Sequence, residues 1–342
     1  MSKIYLLDCT LRDGGYVNNW TFGKDAIDAV RLSLEAAGID IIELGFFREE
    51  PSSPERTVYG FGHDAATVLT TKKKNVFYSM MIEGGEPEQT FPVHRLGTPE
   101  ESNVDYIRIC IWKRLMREHM TYCRSVIEQG YRVSVQPTQV GQYTDAEFID
   151  MCHRANDINP FAVYIVDTWG TQSVNQIRHF LELADRWLYP NIRIGYHGHN
   201  NKMQALSCAQ TAIQMGLSHE LCLDSSIMGM GRGIGNLQTE IIMDFLNENC
   251  SSNYKYKPKL LINLFHRYLQ KFYDAAPWGY SLYHYLSAEY ECSPDFASYF
   301  KRNNLGEDDF ILFLDSLRPE EKIVFRREFV EKRLKELKLT AN

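Results

Sequence analysis

Eight short apolar segments recur along the first part of the chain, each followed by a longer stretch of mixed apolar and polar residues. The segments are rich in Ile, Val, Leu and Tyr and do not alternate strictly, which is typical of parallel strands covered on both faces. They predict strands at Ile4–Asp8, Ile39–Gly45, Val76–Ile82, Asp105–Ile111, Arg132–Pro137, Ala162–Asp167, Ile192–His197 and Glu220–Ser225.

Between these segments, apolar residues recur at three- and four-residue spacing, the pattern of an amphipathic helix, and glycine often follows the last of them. The pattern predicts helices at Lys24–Ala37, His63–Lys73, Lys113–Gln129, Asp145–Asn156, Ser173–Trp187, Lys202–Met215 and Leu237–Asn247. A further helix is expected around Thr90–Glu101, where Pro92 and Pro99 argue against a regular one.

Eight strand–helix units in about 250 residues predict the α/β class and a (β/α)8 TIM barrel. A doubly wound open sheet is the alternative, because it also joins parallel strands through helices. The count of eight and the placement of the polar residues favour the barrel. From about Ser251 the strand pattern stops, and aromatic-rich helical segments and a charged helix near Pro319–Leu337 follow. We therefore predict a catalytic barrel domain at 1–250 and a helical C-terminal extension at 251–342.

Composition narrows the class of protein. With 44% hydrophobic and 24% charged residues, the chain resembles soluble globular proteins. The net charge of −7 argues against a nucleic-acid partner, and no apolar run approaches the roughly 18 residues that span a bilayer. The eight cysteines include no CxxC pair, which favours reduced thiols in a cytoplasmic protein.

Polar side chains gather at the ends of five predicted strands, which is where barrels of this kind carry their chemistry. In chain order they are Asp8, Arg12, Asp13, Glu43, Asp167, Thr168, His197, His199, Asn200 and Asn236. Taken alone, Asp167 and Thr168 are also what a helix cap requires. The glycines of GMGRGIGN do not fit a phosphate-binding motif and predict a tight loop that brings Asn236 to the site.

His197 and His199 are the strongest local signal for a metal. Residues two apart on a strand point to the same face, so both imidazoles can reach one cation. Imidazole suits Mn, Fe, Co, Ni and Zn, and a carboxylate such as Asp13 extends the range toward Mg. Paired strand histidines more often have packing or hydrogen-bonding roles. Their position at a strand end, with a carboxylate expected nearby, favours the metal site.

Five segments, LLDCTLRDGG, IIELGF, VDTWG, YHGHNN and DSSIMGMGRGIGN, resemble in order and spacing the motifs of the DRE-TIM metallolyases. This superfamily includes 4-hydroxy-2-oxovalerate aldolase, 3-hydroxy-3-methylglutaryl-CoA lyase, and the isopropylmalate and citramalate synthases. The short glycine loop is most similar to that of the aldolases. The resemblance implies a class II carbon–carbon lyase that uses a divalent metal, Mn²⁺ or Mg²⁺ before Co²⁺ or Zn²⁺, and acts on a 2-oxo acid and an aldehyde.

The resemblance also implies roles for individual residues. Asp13, His197 and His199 match the metal ligands of the family, and Asn236 matches a further ligand. Arg12 matches the arginine that stabilises the enolate oxygen.

Three more residues follow from the same comparison of motifs. Glu43 matches the acid that holds Arg12, and Thr168 stands where the family places a hydroxyl on the substrate carboxylate. Tyr16 occupies the position of the histidine base of the aldolases. A phenol of ordinary pKa, near 10, is a poor base unless Arg12 or the metal lowers that pKa.

We expect an aldolase that cleaves or forms a 4-hydroxy-2-oxo acid through a pyruvate-type enolate. One alternative is a Claisen-type synthase that condenses an acyl-CoA with a 2-oxo acid. The other is a non-catalytic metal-binding barrel subunit, which the replacement of the base by Tyr16 favours. The C-terminal helices are candidates for a homo-oligomer or pathway-partner interface, and by analogy with the aldolases Tyr280 or Tyr283 is expected to reach the site.

Overall fold

The computed structural model describes residues 2–250 and 255–339. Nine strands occur there: β1 (Ile4–Asp8), β2 (Ile41–Phe47), β3 (Val58–Tyr59), β4 (Phe77–Ile82), β5 (Tyr106–Ile111), β6 (Arg132–Pro137), β7 (Ala162–Asp167), β8 (Arg193–Gly198) and β9 (Leu221–Ser225). All of their pairings are parallel, and β1 pairs with both β2 and β9. The short β3 pairs only with β2. The other eight strands close into a barrel, and the predicted (β/α)8 fold is confirmed.

The short helix α1 (Gly15–Asn18) follows β1 at the mouth of the barrel. The other helices of the barrel are α2 (Lys24–Ala37), α3 (Gly62–Val68), α4 (Pro99–Ser102), α5 (Met116–Glu128), α6 (Asp145–Ile158), α7 (Val174–Trp187), α8 (Ala205–Gln214) and α9 (Thr239–Asn249). Their ends follow local sequence. Thr144 begins α6 by accepting a hydrogen bond from the Glu147 amide, and Gly38 ends α2 with a φ of 92°. Apolar side chains of these helices pack against the outer faces of the strands and form the main core with them.

Three predicted helices of the barrel region are shorter or less regular than expected. The helix expected at His63–Lys73 ends at Val68, because Lys72 pairs with Asp105 and Lys73 bonds to the Glu35 carbonyl. The stretch Thr90–Glu101 contains only a 3₁₀ turn at Val93–Arg95 and the start of α4, since Pro92 and Pro99 remove amide donors. The helix expected at Lys113–Gln129 begins with a 3₁₀ turn before α5.

The C-terminal helices are α10 (Lys259–Leu264), α11 (Gln270–Ala275), α12 (Leu282–Glu289), α13 (Pro294–Arg302), α14 (Glu307–Asp315) and α15 (Arg327–Glu336). A π-helical turn at Phe265–Leu269 joins α10 to α11. The charged helix expected at Pro319–Leu337 is shorter, because a 3₁₀ turn at Pro319–Glu321 and an irregular stretch precede α15.

Helices α12 to α15 share a core of their own, separate from that of the barrel, around Phe296, Phe300 and Phe313. The predicted domain boundary at 250/251 adjoins residues outside the described ranges, and this division stays a prediction. Within the described part of the chain, no helix combines the length and apolar character needed to cross a membrane.

Candidate active site

The carboxyl ends of β1 and β8 bring three candidate metal ligands together. Asp13 lies in the turn after β1, His197 lies in β8, and His199 follows that strand directly. One ligand atom from each lies within 4.8 Å of the others, and all three residues are buried. His199 forms an isolated antiparallel bridge with Asn236, so the glycine loop delivers the asparagine to the same place, as predicted.

The ring orientations of both histidines fit a divalent cation. His197 Nδ1 lies 2.9 Å from an Asp224 carboxylate oxygen, and His199 Nδ1 lies 3.1 Å from the Asp167 carbonyl oxygen. Both Nε2 atoms therefore face Asp13, at 3.8 Å and 3.6 Å from its oxygens. His199 Nε2 is buried and has no hydrogen-bond partner among the described residues. Such rings held through Nδ1 are typical of metal ligands, and two imidazoles with one carboxylate suit Mn²⁺, Fe²⁺, Co²⁺ or Zn²⁺.

Asn236 contacts this group through its amide nitrogen. The nitrogen donates to Asp13 Oδ1 at 3.1 Å and to the Met230 carbonyl at 3.3 Å, whereas Asn236 Oδ1 is buried without a partner in the described residues. A role as metal ligand requires the amide to turn its oxygen toward the cation, and this role stays a prediction.

Arg12 lies against Glu43, the acid that the motif comparison assigned to it, and also against Asp13. Its Nε donates to Glu43 at 2.7 Å, and its Nη1 donates to Asp13. Burial acts to raise the pKa of Asp13, but the Arg12 guanidinium and the two imidazoles hold that pKa well below its usual value. Asp13 is therefore a carboxylate at neutral pH, as metal binding requires.

Two buried residues that sequence reasoning missed support the site from inside the barrel. Arg108 in β5 contacts Glu43 at 2.9 Å and also pairs with Asp224 in β9. Asp224 in turn holds His197. A continuous chain of charges thus runs from Arg12 through Glu43, Arg108 and Asp224 to His197. The available signal was a charged residue in the middle of an otherwise apolar strand, which is rare unless that charge is paired.

A cavity of about 310 Å³ opens beside these residues, and its lining includes Arg12, Asp13, Tyr16, Thr168, His197 and His199. Thr168 Oγ1 accepts a hydrogen bond from the Gln139 amide at 2.8 Å. Glu43 lies behind Arg12 and does not line the cavity. The outer wall comes from the glycine loop and the C-terminal helices, with Arg232, Ser293, Asp295, Ile323, Val324 and Phe325. Sequence reasoning expected the C-terminal extension to reach the site through Tyr280 or Tyr283 and missed the residues that form this wall.

Three tyrosines can be compared with their expected roles. Tyr16 reaches the cavity, packs edge-on against Trp20 and lies below the Arg232 guanidinium. Burial raises the pKa of Tyr16 far above its usual value, so the phenol stays protonated at neutral pH. Tyr280 is 63% exposed and Tyr283 donates to the Leu305 carbonyl, and neither lines the cavity. The expectation that one of these two reaches the site is wrong.

Comparisons with known proteins agree with this geometry. A family model described as HMGL-like matches residues 101–260. The chain is 26% identical to the oxaloacetate decarboxylase of Mycobacterium tuberculosis, over 70% of this chain and 68% of the relative. It is 24% identical to the 4-hydroxy-2-oxovalerate aldolase of Desulfitobacterium hafniense, over 73% of this chain and 74% of the relative.

One solved structure, the N-terminal domain of a candidate aldolase from Bacteroides vulgatus, superposes with a TM-score of 0.71. The match covers 86% of this chain and 96% of that one at 24% identity, and at this identity it supports the barrel fold alone. Together with the family match and the two relatives, the motifs lead to one conclusion. Residues 101–260 match the HMGL-like family model, and the chain is similar to an oxaloacetate decarboxylase and a 4-hydroxy-2-oxovalerate aldolase, in agreement with the resemblance of its strand-end motifs to the DRE-TIM metallolyases.

Proposed function

We propose that this protein is a divalent-metal-dependent aldolase that cleaves or forms a 4-hydroxy-2-oxo acid through a pyruvate-type enolate. The observation that carries the proposal is the meeting of Asp13, His197 and His199, with ligand atoms within 4.8 Å of one another, in a cavity that also contains Arg12. A metal held by these three residues would act as a Lewis acid on the carbonyl of a 2-oxo acid.

Arg12 and Thr168 have complementary tasks in the proposed reaction. When the bond beside the ketone breaks, negative charge develops on the ketone oxygen, and a guanidinium held beside that oxygen stabilises it. Glu43 and Asp13 hold the Arg12 guanidinium from two sides, so its orientation needs no rearrangement during the reaction. Thr168 lines the same cavity and offers a hydroxyl to the substrate carboxylate.

In the proposed reaction, Tyr16 transfers the proton to and from the 4-oxygen of the substrate. Because burial keeps its phenol protonated, Tyr16 acts as a proton donor to the 4-oxygen in the direction of bond formation. In the direction of cleavage the same proton must return to the phenol oxygen, which makes cleavage faster as the pH rises. The Arg232 guanidinium, 5.5 Å from the Tyr16 ring, favours the phenolate that this step requires.

The direct test is a cleavage assay with the metal-loaded protein. A 4-hydroxy-2-oxo acid such as 4-hydroxy-2-oxovalerate is supplied, and the pyruvate formed is measured with lactate dehydrogenase and NADH. We expect turnover that EDTA abolishes and Mn²⁺ restores. Turnover that survives complete metal removal would contradict the proposal. Release of free thiol from an acyl-CoA would instead favour the Claisen-type synthase, and tight partner association without any turnover would favour the non-catalytic subunit.

Oxaloacetate decarboxylation is a second candidate, and the protonated Tyr16 favours it. Loss of CO₂ from oxaloacetate also leaves a pyruvate enolate, but it requires no base to remove a hydroxyl proton. The oxaloacetate decarboxylase relative supports the same candidate. Tyr16→Phe separates the two reactions, since we expect it to lower aldol cleavage by about 10²- to 10⁴-fold and to leave decarboxylation within a few-fold. Equal loss of both activities would contradict this role of Tyr16.

A further inference from the structure

A second and larger cavity, of about 920 Å³, lies between the glycine loop and the C-terminal helices. Its lining includes His284 of α12, Lys301 and Arg302 of α13, and aromatic side chains such as Trp278. It adjoins the candidate active site, because Tyr16, Arg232, Asp295 and Phe325 line both cavities. A substrate seated at the metal ligands can therefore extend into this space.

His284 is the feature of this cavity that the fold does not explain. The side chain is only 5% exposed, and its Nε2 lies 3.2 Å from Ser298 Oγ. Its Nδ1 is buried without a hydrogen-bond partner in the described part of the chain. A buried imidazole nitrogen without a partner is costly, so a group that completes the hydrogen bond is expected. Burial, followed by the nearby Lys301, lowers the pKa of His284 to about 4, so the ring is neutral.

The charges around His284 are mainly positive. Lys301 and Arg302 are exposed and form no ion pair among the described residues. Two more arginines on the lining have partners, since Arg232 pairs with Asp295 and Arg327 pairs with Glu331. Cations are common in the last turn of a helix, where α13 places Lys301 and Arg302. That tendency explains their presence but does not explain the unpartnered nitrogen of His284.

We propose that the second cavity binds a phosphate group at the far end of the aldehyde or 4-hydroxy-2-oxo acid substrate, with His284, Lys301 and Arg302 as its ligands. The assignment rests on the proposed aldolase function, and it specifies that the acceptor is a phosphorylated aldehyde. Phosphate oxygens accept from the neutral His284 donor and from both cations, and the aromatic lining leaves room for the carbon chain. Asp295 does not oppose this anion, because Arg232 neutralises it.

The test compares D-glyceraldehyde 3-phosphate with D-glyceraldehyde as acceptors for pyruvate, using the Mn²⁺-loaded full chain. We expect a KM at least tenfold lower for the phosphorylated aldehyde. The double variant Lys301→Ala/Arg302→Ala should raise that KM about 10- to 100-fold and leave the KM for glyceraldehyde unchanged. The control Arg117→Ala/Arg124→Ala removes two exposed cations from α5, which do not line the cavity, and should change neither value.

His284 is tested by a pair of variants. His284→Asn keeps an amide donor near the position of Nδ1 and should retain the preference for the phosphorylated aldehyde, whereas His284→Leu should lose it. His284 is buried, so either of its variants could fail to fold. The Lys301→Ala/Arg302→Ala variant changes only exposed residues and therefore still tests the phosphate site.

Proton exchange of pyruvate in D₂O needs no aldehyde, and it separates the two claims. If exchange occurs but the two aldehydes have equal KM values, the phosphate site is wrong and the aldolase proposal stands. If the wild type shows no exchange with metal bound, the aldolase proposal fails and the substrate assignment fails with it.

Calorimetry with glycerol 3-phosphate adds a readout without turnover, and we expect binding that the Lys301→Ala/Arg302→Ala variant weakens at least tenfold. No binding by the wild type would contradict the phosphate site.

Discussion

Asp224 is a buried side chain that we expect to tune the affinity of the proposed metal site without being one of its ligands. It holds His197 through Nδ1 and is itself held by Arg108, which keeps its pKa below the usual value although burial acts to raise it. Because Asp224 is a carboxylate 2.9 Å from Nδ1, it favours a proton on that nitrogen of His197, which leaves the Nε2 lone pair facing Asp13.

Asp224→Asn is therefore expected to weaken Mn²⁺ binding about 10- to 100-fold, because the amide is a poorer acceptor for the His197 N–H. Isothermal titration with Mn²⁺ measures the change. Asp167→Asn is the matched control, since His199 contacts the Asp167 backbone carbonyl rather than its carboxylate. An unchanged affinity in Asp224→Asn would show that Asp224 has only a structural role.

Asp8 gives the protein a pH-dependent stability unrelated to the metal. It is fully buried and accepts hydrogen bonds from the Thr10 amide and the Thr239 hydroxyl, and burial raises its pKa from 3.8 to about 6. A carboxyl whose pKa is raised on folding stabilises the folded state at low pH, and this contribution is lost as the pH rises through about 6.

Compared with Asp8→Asn, the wild type should therefore lose about 2.5 kcal/mol of unfolding free energy between pH 4 and pH 7.5. Urea unfolding of both proteins across this range measures the difference. Asp308→Asn, at an exposed position, should show no such trend. A constant difference between wild type and Asp8→Asn would contradict the raised pKa.

At the scale of elements, the loop between β9 and α9 links the metal ligands to the outer wall of the cavity. Gly231 lies in this loop, and a Cβ there would come within 2.3 Å of Asn236 Nδ2 and 2.6 Å of Asp13 Oδ1. Both atoms are ends of side chains, so the backbone need not move, but the two side chains must.

Gly231→Ala should therefore lower Mn²⁺ affinity at least tenfold while the melting temperature changes little, because the displaced atoms belong to the metal site. Gly85→Ala is the control, since a Cβ at Gly85 meets nothing closer than 3.5 Å. Calorimetry for metal binding and circular dichroism for melting check both effects. Full Mn²⁺ affinity in Gly231→Ala would contradict the position assigned to the Asp13 carboxylate.

The strands and their ends were more predictable from the sequence than the residues inside the barrel. The eight barrel strands and the three metal-ligand candidates were predictable, because strand ends in a barrel meet at one mouth whatever the details of packing. The roles of Arg108 and Asp224 were not predicted, since a charge inside a strand signals a buried partner but does not say which residue of another strand supplies it. The predicted helix at His63–Lys73 failed for a related reason, since tertiary contacts of Lys72 and Lys73 override the local pattern.

At the scale of the whole molecule, the C-terminal helices complete the active-site region that the barrel begins. The Trp278 indole donates to the Met228 carbonyl, and the Gly279 amide donates to the Ile234 carbonyl, so the extension is tied to the glycine loop. Arg232 and Asp295 add an ion pair between the same two parts. The sequence pattern did not specify where this extension packs, because its apolar residues form a core separate from that of the barrel.

Because the two cavities share lining residues, ligand binding is expected to change hydrogen exchange in both the barrel and the C-terminal extension. Binding of pyruvate with Mn²⁺ should slow amide hydrogen exchange both in the glycine loop, residues 229–235, and in residues 323–325, since both segments belong to the walls of the two cavities. Exchange mass spectrometry with and without ligand measures this. Protection confined to the barrel would mean that the extension does not take part in the site.

In the proposed aldolase, Asp13, His197 and His199 hold a metal that allows Arg12 to stabilise a pyruvate enolate. Proton exchange of the pyruvate methyl group in D₂O measures enolate formation without any aldehyde. The exchange is followed by NMR with Mn²⁺-loaded protein, and each sample is quenched and stripped of metal before its spectrum is recorded. We expect exchange that requires Mn²⁺ or Mg²⁺ and that disappears in Asp13→Asn. A wild-type protein with metal bound and no exchange, or an Asp13→Asn variant that exchanges as fast as wild type, would contradict it.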